Sequence, residues 1–186
     1  EDIDGPVSLD IIGVIDDEVY WNKCQTLINK LRAVKVAYLG SLVHRELMSR
    51  LQDYDVYILP TQGENFGHSI FEAFTNGLPV IISDQTPWTE LKQKKIGFDL
   101  SLNQPKKFTE AIEYFASLSQ NELEEWSESA RVYASDFIED QNYLESYSDL
   151  FTNTKRIGIV APIPINRYKG GISVFAENIF SHHTEF

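Results

Sequence analysis

The stretch Asp55-Val-Tyr-Ile-Leu-Pro-Thr-Gln-Gly-Glu-Asn-Phe-Gly-His-Ser-Ile-Phe-Glu-Ala-Phe-Thr-Asn-Gly-Leu-Pro-Val-Ile-Ile-Ser-Asp84 reads as strand, polar turn, helix, turn, strand. Residues 55–60 are a short apolar run closed by proline, as a buried strand would be. Thr61 to Gly67 is a polar loop at the carboxyl end of that strand. His68 to Asn76 carries Ile70, Phe71, Ala73 and Phe74 at helical spacing, and Gly77 and Pro79 stop the helix. Residues 79–82 form a second strand too apolar for a wet face, which places it in a parallel sheet covered on both sides.

Ligands of open α/β sheets bind beyond the carboxyl ends of the strands, where this loop meets this helix. A helix start offers unpaired amides and partial positive charge, which suits a phosphate. Glu64 and Glu72 flank that start. Carboxylates repel phosphate but accept hydrogen bonds from hydroxyls, so the mixture fits a nucleotide-sugar.

Glu64-Asn-Phe-Gly-His-Ser-Ile-Phe-Glu72 resembles the Glu-x7-Glu signature of family-4 retaining glycosyltransferases of the GT-B fold. The continuation through Ser83 and Asp84-Gln-Thr-Pro-Trp88 extends the resemblance, which covers roughly residues 7–152. It implies a donor-binding half of a group 1 enzyme that moves a sugar from a nucleoside diphosphate to an acceptor hydroxyl with retention. It also implies that Glu72 binds the ribose and that Glu64, the catalytic candidate, binds hydroxyls of the transferred sugar. Asn65, Phe66, Gly67, His68 and Ser69 would hold sugar and phosphate. Like other GT-B enzymes, it would use positive groups and helix dipoles, not a metal, to stabilise the leaving diphosphate. The acceptor would be a carbohydrate or a lipid-linked saccharide, as in polysaccharide biosynthesis.

Each site residue also has a plainer reading. Ser69 and Glu72 have the spacing of a capping box. Glu64 by itself is a loop carboxylate. His68 is placed either to reach a phosphate or to cap. Gly67 permits close backbone approach or simply a turn. Trp88 lines the entrance or packs beneath it. His44, His182 and His183 have no evident partner and read as surface residues.

With 186 residues, the chain can build a domain with a true core. Its 16 basic and 28 acidic residues give a net charge of −12, which argues against nucleic acid and against an anionic membrane surface. A lone cysteine, Cys24, excludes an internal disulfide and a cysteine zinc site, and suggests a reducing compartment. No apolar run is long enough to span a bilayer. The expected location is cytoplasmic, with contact to the inner membrane face made through the parent protein. The chain opens at Glu1 without methionine, which reads as a fragment.

The remaining pattern alternates. Residues 7–13 are a strand, and Asp16 or Asp17 caps a helix to about Leu31 with Tyr20, Cys24, Leu27, Ile28 and Leu31 turned inward. Residues 35–39 are a strand, and 43–52 a helix. Thr86 to Trp88 reads as the first turn of a short helix and 96–100 as a strand. Helices follow from Pro105, from Asn121 (capped with Glu124) to about Phe137, and over 141–151. The fold class is therefore α/β, a Rossmann-like parallel sheet between helices. Residues 1–152 form the nucleotide-sugar domain.

Residues 153–186 begin again, with a strand at 156–162, a proline- and glycine-rich loop, and a helix at 172–181. This tail resembles the opening of a GT-B N-terminal domain, the half otherwise missing from the chain. It either starts a second module or fills the sheet's central position, because the family's first strand and its basic loop are absent before Val7. Arg167, Lys169, Gly170 and Gly171 are its phosphate-binding candidates. Two rivals stand beside the transferase: a non-catalytic Rossmann-like scaffold and a GT-B-fold sugar-nucleotide epimerase.

Overall fold

The computed structural model describes residues 7–32 and 34–139. The chain divides into two units after Asp140, and the described residues all belong to the first. The expected helix at 141–151, the tail strand and its proposed place in the sheet, and Arg167, Lys169, Gly170 and Gly171 lie outside the described residues.

The element order is β1 (Val7–Ile12), α1 (Glu18–Ile28), β2 (Val34–Gly40), α2 (His44–Leu51), β3 (Tyr57–Leu59), α3 (His68–Thr75), β4 (Val80–Ser83), β5 (Gly97–Leu100), α4 (Pro105–Ser117) and α5 (Gln120–Glu139). All strand pairs are parallel. Among the described residues the strands form two groups, β1-β2 and β3-β4-β5, as expected where the family's central strand is absent before Val7. Among the described residues no strand pairs with the free sides of β1 and β3. One polar tie crosses between the sheets: Tyr54, in the turn before β3, donates its hydroxyl to Asp10 Oδ2 on β1 at 2.8 Å.

The core sits around the three-stranded sheet. β4 is buried at every position, and its alternation sends Val80 and Ile82 to one face and Ile81 to the other. Val80 and Ile82 join Ile70, Phe74, Trp88, Leu91 and Ile96, while Ile81 meets Ala111, Phe115 and Trp126. α5 serves both clusters, through Ala130 and Ala134 on one side and Trp126 on the other. α3 lies against α5 through Phe74–Tyr133 and Phe71–Phe137 ring contacts at 5.5 and 5.2 Å.

Three local expectations are corrected. α1 buries none of its residues; Tyr20 and Leu27 are 65% and 63% exposed, and Cys24 is only half-buried. A two-stranded sheet offers α1 too narrow a floor for its apolar stripe. Asp17 does cap α1, accepting from the amides of Val19 and Tyr20 at 2.8 and 3.0 Å. α5 begins earlier than expected, at a capping box formed by Ser119 and Glu122 rather than Asn121 and Glu124. The Glu122 carboxylate accepts from the Ser119 amide and hydroxyl at 2.8 and 2.6 Å, and these bonds hold the Glu122 carboxyl below its ordinary range. Finally, Thr86–Trp88 is irregular rather than helical, and Asp99 on β5 accepts from the amides of Glu90 and Leu91 just beyond it.

Candidate functional site

The loop from Thr61 to Gly67 leaves β3 at its carboxyl end and enters α3. Its polar backbone is fastened to the end of β4 and the segment following it at three points. The buried Ser83 hydroxyl donates to Thr61 O at 2.5 Å, the Glu64 amide donates to Gln85 O at 3.1 Å, and the Trp88 indole N–H donates to Phe66 O. Gly67 then turns the chain into α3 in the left-handed conformation, φ 78°. A Cβ there would stand 2.8 Å from Ile70 Cδ1 and 3.3 Å from Trp88 Nε1. The glycine is thus required both by its backbone angle and by the packing under it.

This loop walls an open cleft of about 530 Å³, lined by Gln62, Gly63, Glu64, Asn65, Phe66, Gly67, His68 and Gln85. Glu64, Asn65 and His68 are exposed on it, and Phe66 is half-buried. The amides of His68 and Ser69 precede the first intrahelical bonds of α3, which run from Ile70 and Phe71 to Gly67 O.

No side chain closes the start of α3. The capping-box reading of Ser69 and Glu72 therefore does not describe this helix. Ser69 is instead turned toward the Tyr57 phenol. Tyr57 is the residue that relates the two glutamates. Burial pushes its phenol above the ordinary range, the Ser69 hydrogen bond pulls it down, and the charges of Glu64 and Glu72 push it further up. Both charges thus bear on the phenol of the residue that opens β3. Glu72 does not line the cleft itself; one turn into α3, it faces α2, where His44 Nδ1 stands 3.6 Å from Glu72 Oε1.

Trp88 lies under the loop, 4% exposed. Its ring stacks on Phe71 with centroids 5.8 Å apart and meets Phe66, Phe74 and Phe137 at 5.2–5.5 Å. Of the two readings of Trp88, packing describes it, although the residue packed upon is the loop itself.

Sequence reasoning missed Tyr57, Gln85 and His44. Tyr57 carries a readable signal, a polar-tipped aromatic in the short strand that precedes the loop. Gln85 follows β4 and enters through its backbone. His44 carries no local signal, because its relation to Glu72 depends on how two helices pack. Among the described residues no group of three or more His, Cys, Asp or Glu side chains is placed to hold a metal ion. No described helix is long and apolar enough to cross a membrane.

The family model of glycosyl transferases group 1 matches residues 2–133, and the chain belongs to that family. WaaG, a glycosyltransferase involved in lipopolysaccharide biosynthesis, aligns over 77% of this chain and 38% of its own, at 19% identity with a TM-score of 0.59. The catalytic domain of cholesterol-alpha-glucosyltransferase from Helicobacter pylori aligns over 71% of this chain and 99% of its own, at 16% identity with a TM-score of 0.53. At such identities the likeness is one of fold: parallel α/β layers forming one half of a GT-B glycosyltransferase. The chain spans well under half the length of WaaG. No curated protein sequence matches it.

Proposed function

We propose that this domain binds a nucleotide-sugar donor at the loop between β3 and α3 and serves retaining sugar transfer of the family-4 type. The observation that carries the reading is the cleft at the start of α3, with Glu64 and the amide-bearing turn through Gly67 on its wall, in a loop fastened by Ser83, Gln85 and Trp88. A carboxylate accepts hydrogen bonds from vicinal hydroxyls, and Glu72 has one oxygen, Oε2, turned to no ion-pair partner among the described residues. Glu72 binds the ribose. Glu64, exposed on the cleft wall, contacts the hydroxyls of the transferred sugar. Asn65 to Ser69 supply amides to the sugar and the phosphates, and the start of α3 favours the charge that develops on the leaving diphosphate.

The transfer breaks the bond between the anomeric carbon and the diphosphate oxygen and forms one to an acceptor hydroxyl oxygen. The hydroxyl proton is released and the diphosphate leaves with the bonding pair. The acceptor is a carbohydrate or a lipid-linked saccharide, brought by the other half of a longer parent that works at the cytoplasmic side of a membrane. The isolated chain binds donor but does not turn it over, and the leaving group is stabilised without a metal. Sugar transfer by the isolated chain would contradict that part of the reading.

The direct test is Glu72→Gln. Losing a charge-assisted hydrogen bond to a ribose hydroxyl costs about 1.5–3 kcal/mol, or roughly ten- to a hundredfold in Kd. Calorimetric titration with UDP-, GDP- and ADP-sugars should register that loss while the circular dichroism spectrum is unchanged. Equal affinity in the variant would remove Glu72 from the site, and no binding by the wild type would favour the scaffold alternative.

A further inference from the structure

We infer that His44 is a positioning residue for Glu72, and that its protonation tightens the hold of the site on a nucleotide-sugar. The inference rests on the donor-site reading of Glu72.

Two contacts align α2 with α3. His44 Nδ1 faces Glu72 Oε1 at 3.6 Å. One turn further along both helices, Asn76 Nδ2 donates to Met48 Sδ at 3.6 Å. His44 and Met48 are four residues apart on α2, and Glu72 and Asn76 four apart on α3, so each pair shares a helix face. The two contacts fall in the same order along α2 and along α3 with its C-cap, and Met48 and Leu47 pack against the core. This packing, not chance at the surface, sets the imidazole opposite the carboxylate.

The partners are unequally exposed: the His44 side chain is 71% accessible and that of Glu72 29%. The imidazole is thus the solvent-side member of the pair. The charges of Glu72 and of Glu64 on the loop both bear on the Tyr57 phenol of β3, and His44 is the basic group that stands within 4 Å of the Glu72 carboxylate among the described residues. Tyr57 and Glu64 are neutral or negative, so His44 is the group whose charge can favour the carboxylate's fixed orientation. Histidine is the side chain that ordinarily changes charge between pH 5 and 8.

As imidazolium, His44 holds Oε1 and restrains the Glu72 rotamer, leaving Oε2 and the remaining lone pairs to the ribose hydroxyls. It also places a positive charge near a site that must accept a diphosphate in a chain of net charge −12. As neutral imidazole it does neither. Both effects have one sign: affinity rises as pH falls through the histidine range.

The experiment is calorimetric titration of the 186-residue chain with UDP-glucose, GDP-mannose and ADP-glucose at pH 5.5 and pH 8.0. Their phosphodiester oxygens do not titrate in this interval. The donor that binds should do so roughly three- to fivefold more tightly at the lower pH, the size expected of an exposed ion pair. His44→Gln should bind at the weaker level at both pH values, and His44→Arg at the tighter level at both. Should Glu72→Gln lose affinity while His44→Gln follows the wild type at each pH, the inference about His44 is overturned and the donor site stands. Should no donor bind the wild type, the donor site and the inference fall together.

Discussion

Gly97→Ala is expected to lower the stability of the domain by about 3–5 kcal/mol, read as a fall in the urea midpoint at unchanged m-value. Gly97 opens β5 at φ 149°, and a Cβ built there would lie 2.1 Å from Val80 O and 2.8 Å from Val80 N. Those are backbone atoms of β4, the most buried strand, so no side-chain rotation relieves the overlap. The β4–β5 ladder would have to part at Val80–Gly97, its first register pair. Gly13 supplies the control. It has the same φ of 149°, yet nothing lies within 4 Å of its Cβ position. Gly13→Ala should therefore cost only the backbone strain, on the order of 1–3 kcal/mol. Equal losses at the two positions would show that φ, and not the approach of the two strands, makes Gly97 necessary.

Trp88→Ala is expected to cost about 3–5 kcal/mol, as deletion of a large buried aromatic does, and to weaken donor binding as well. Trp88 fills the space between α3, α5 and the loop, with Phe66, Phe71, Phe74, Tyr133 and Phe137 around it. Its indole N–H is also the third fastening of the loop, at Phe66 O. Trp88→Phe separates the two roles. It keeps most of the ring contacts but leaves the Phe66 carbonyl without its donor, at a cost of about 1–3 kcal/mol. If the fastening holds the loop in binding geometry, Trp88→Phe should lose donor affinity out of proportion to stability. Donor affinity unchanged in Trp88→Phe would confine Trp88 to the core.

How far these features could be read in the residues alone depends on the range over which they are determined. β3, α3 and β4 are marked locally, by an apolar run ending at Pro60, by helical spacing from Ile70 to Phe74, and by the Gly77–Pro79 stop. Their bounds differ from the expected ones by a residue or two. The same holds for Asp17, whose cap depends only on amides two and three residues on. The α5 cap was misplaced because Ser119-x-x-Glu122 and Asn121-x-x-Glu124 offer the same chemistry two residues apart. What separates them is where Trp126 must point to reach Phe98 and Phe115.

The larger errors concern what lies beneath an element. α1 has an apolar stripe, but a stripe is buried only if a partner of sufficient width exists, and β1-β2 is two strands wide. Around the candidate site, the polar loop, the turn at Gly67 and the start of α3 were legible in the residues. Tyr57 and His44 were not, because each is brought to Glu72 by the packing of separate elements.

The claim on which the rest depends is that the β3–α3 loop, with Glu64 and Glu72, is where a nucleotide-sugar binds. The most direct measurement is the amide spectrum of the chain during titration with UDP-, GDP- and ADP-sugars. The account predicts saturable shifts for one of them, concentrated at Gly63 to Ser69 and Glu72 and abolished in Glu72→Gln. Saturable shifts elsewhere with these amides unmoved, or no shifts with any of the three donors, would contradict it.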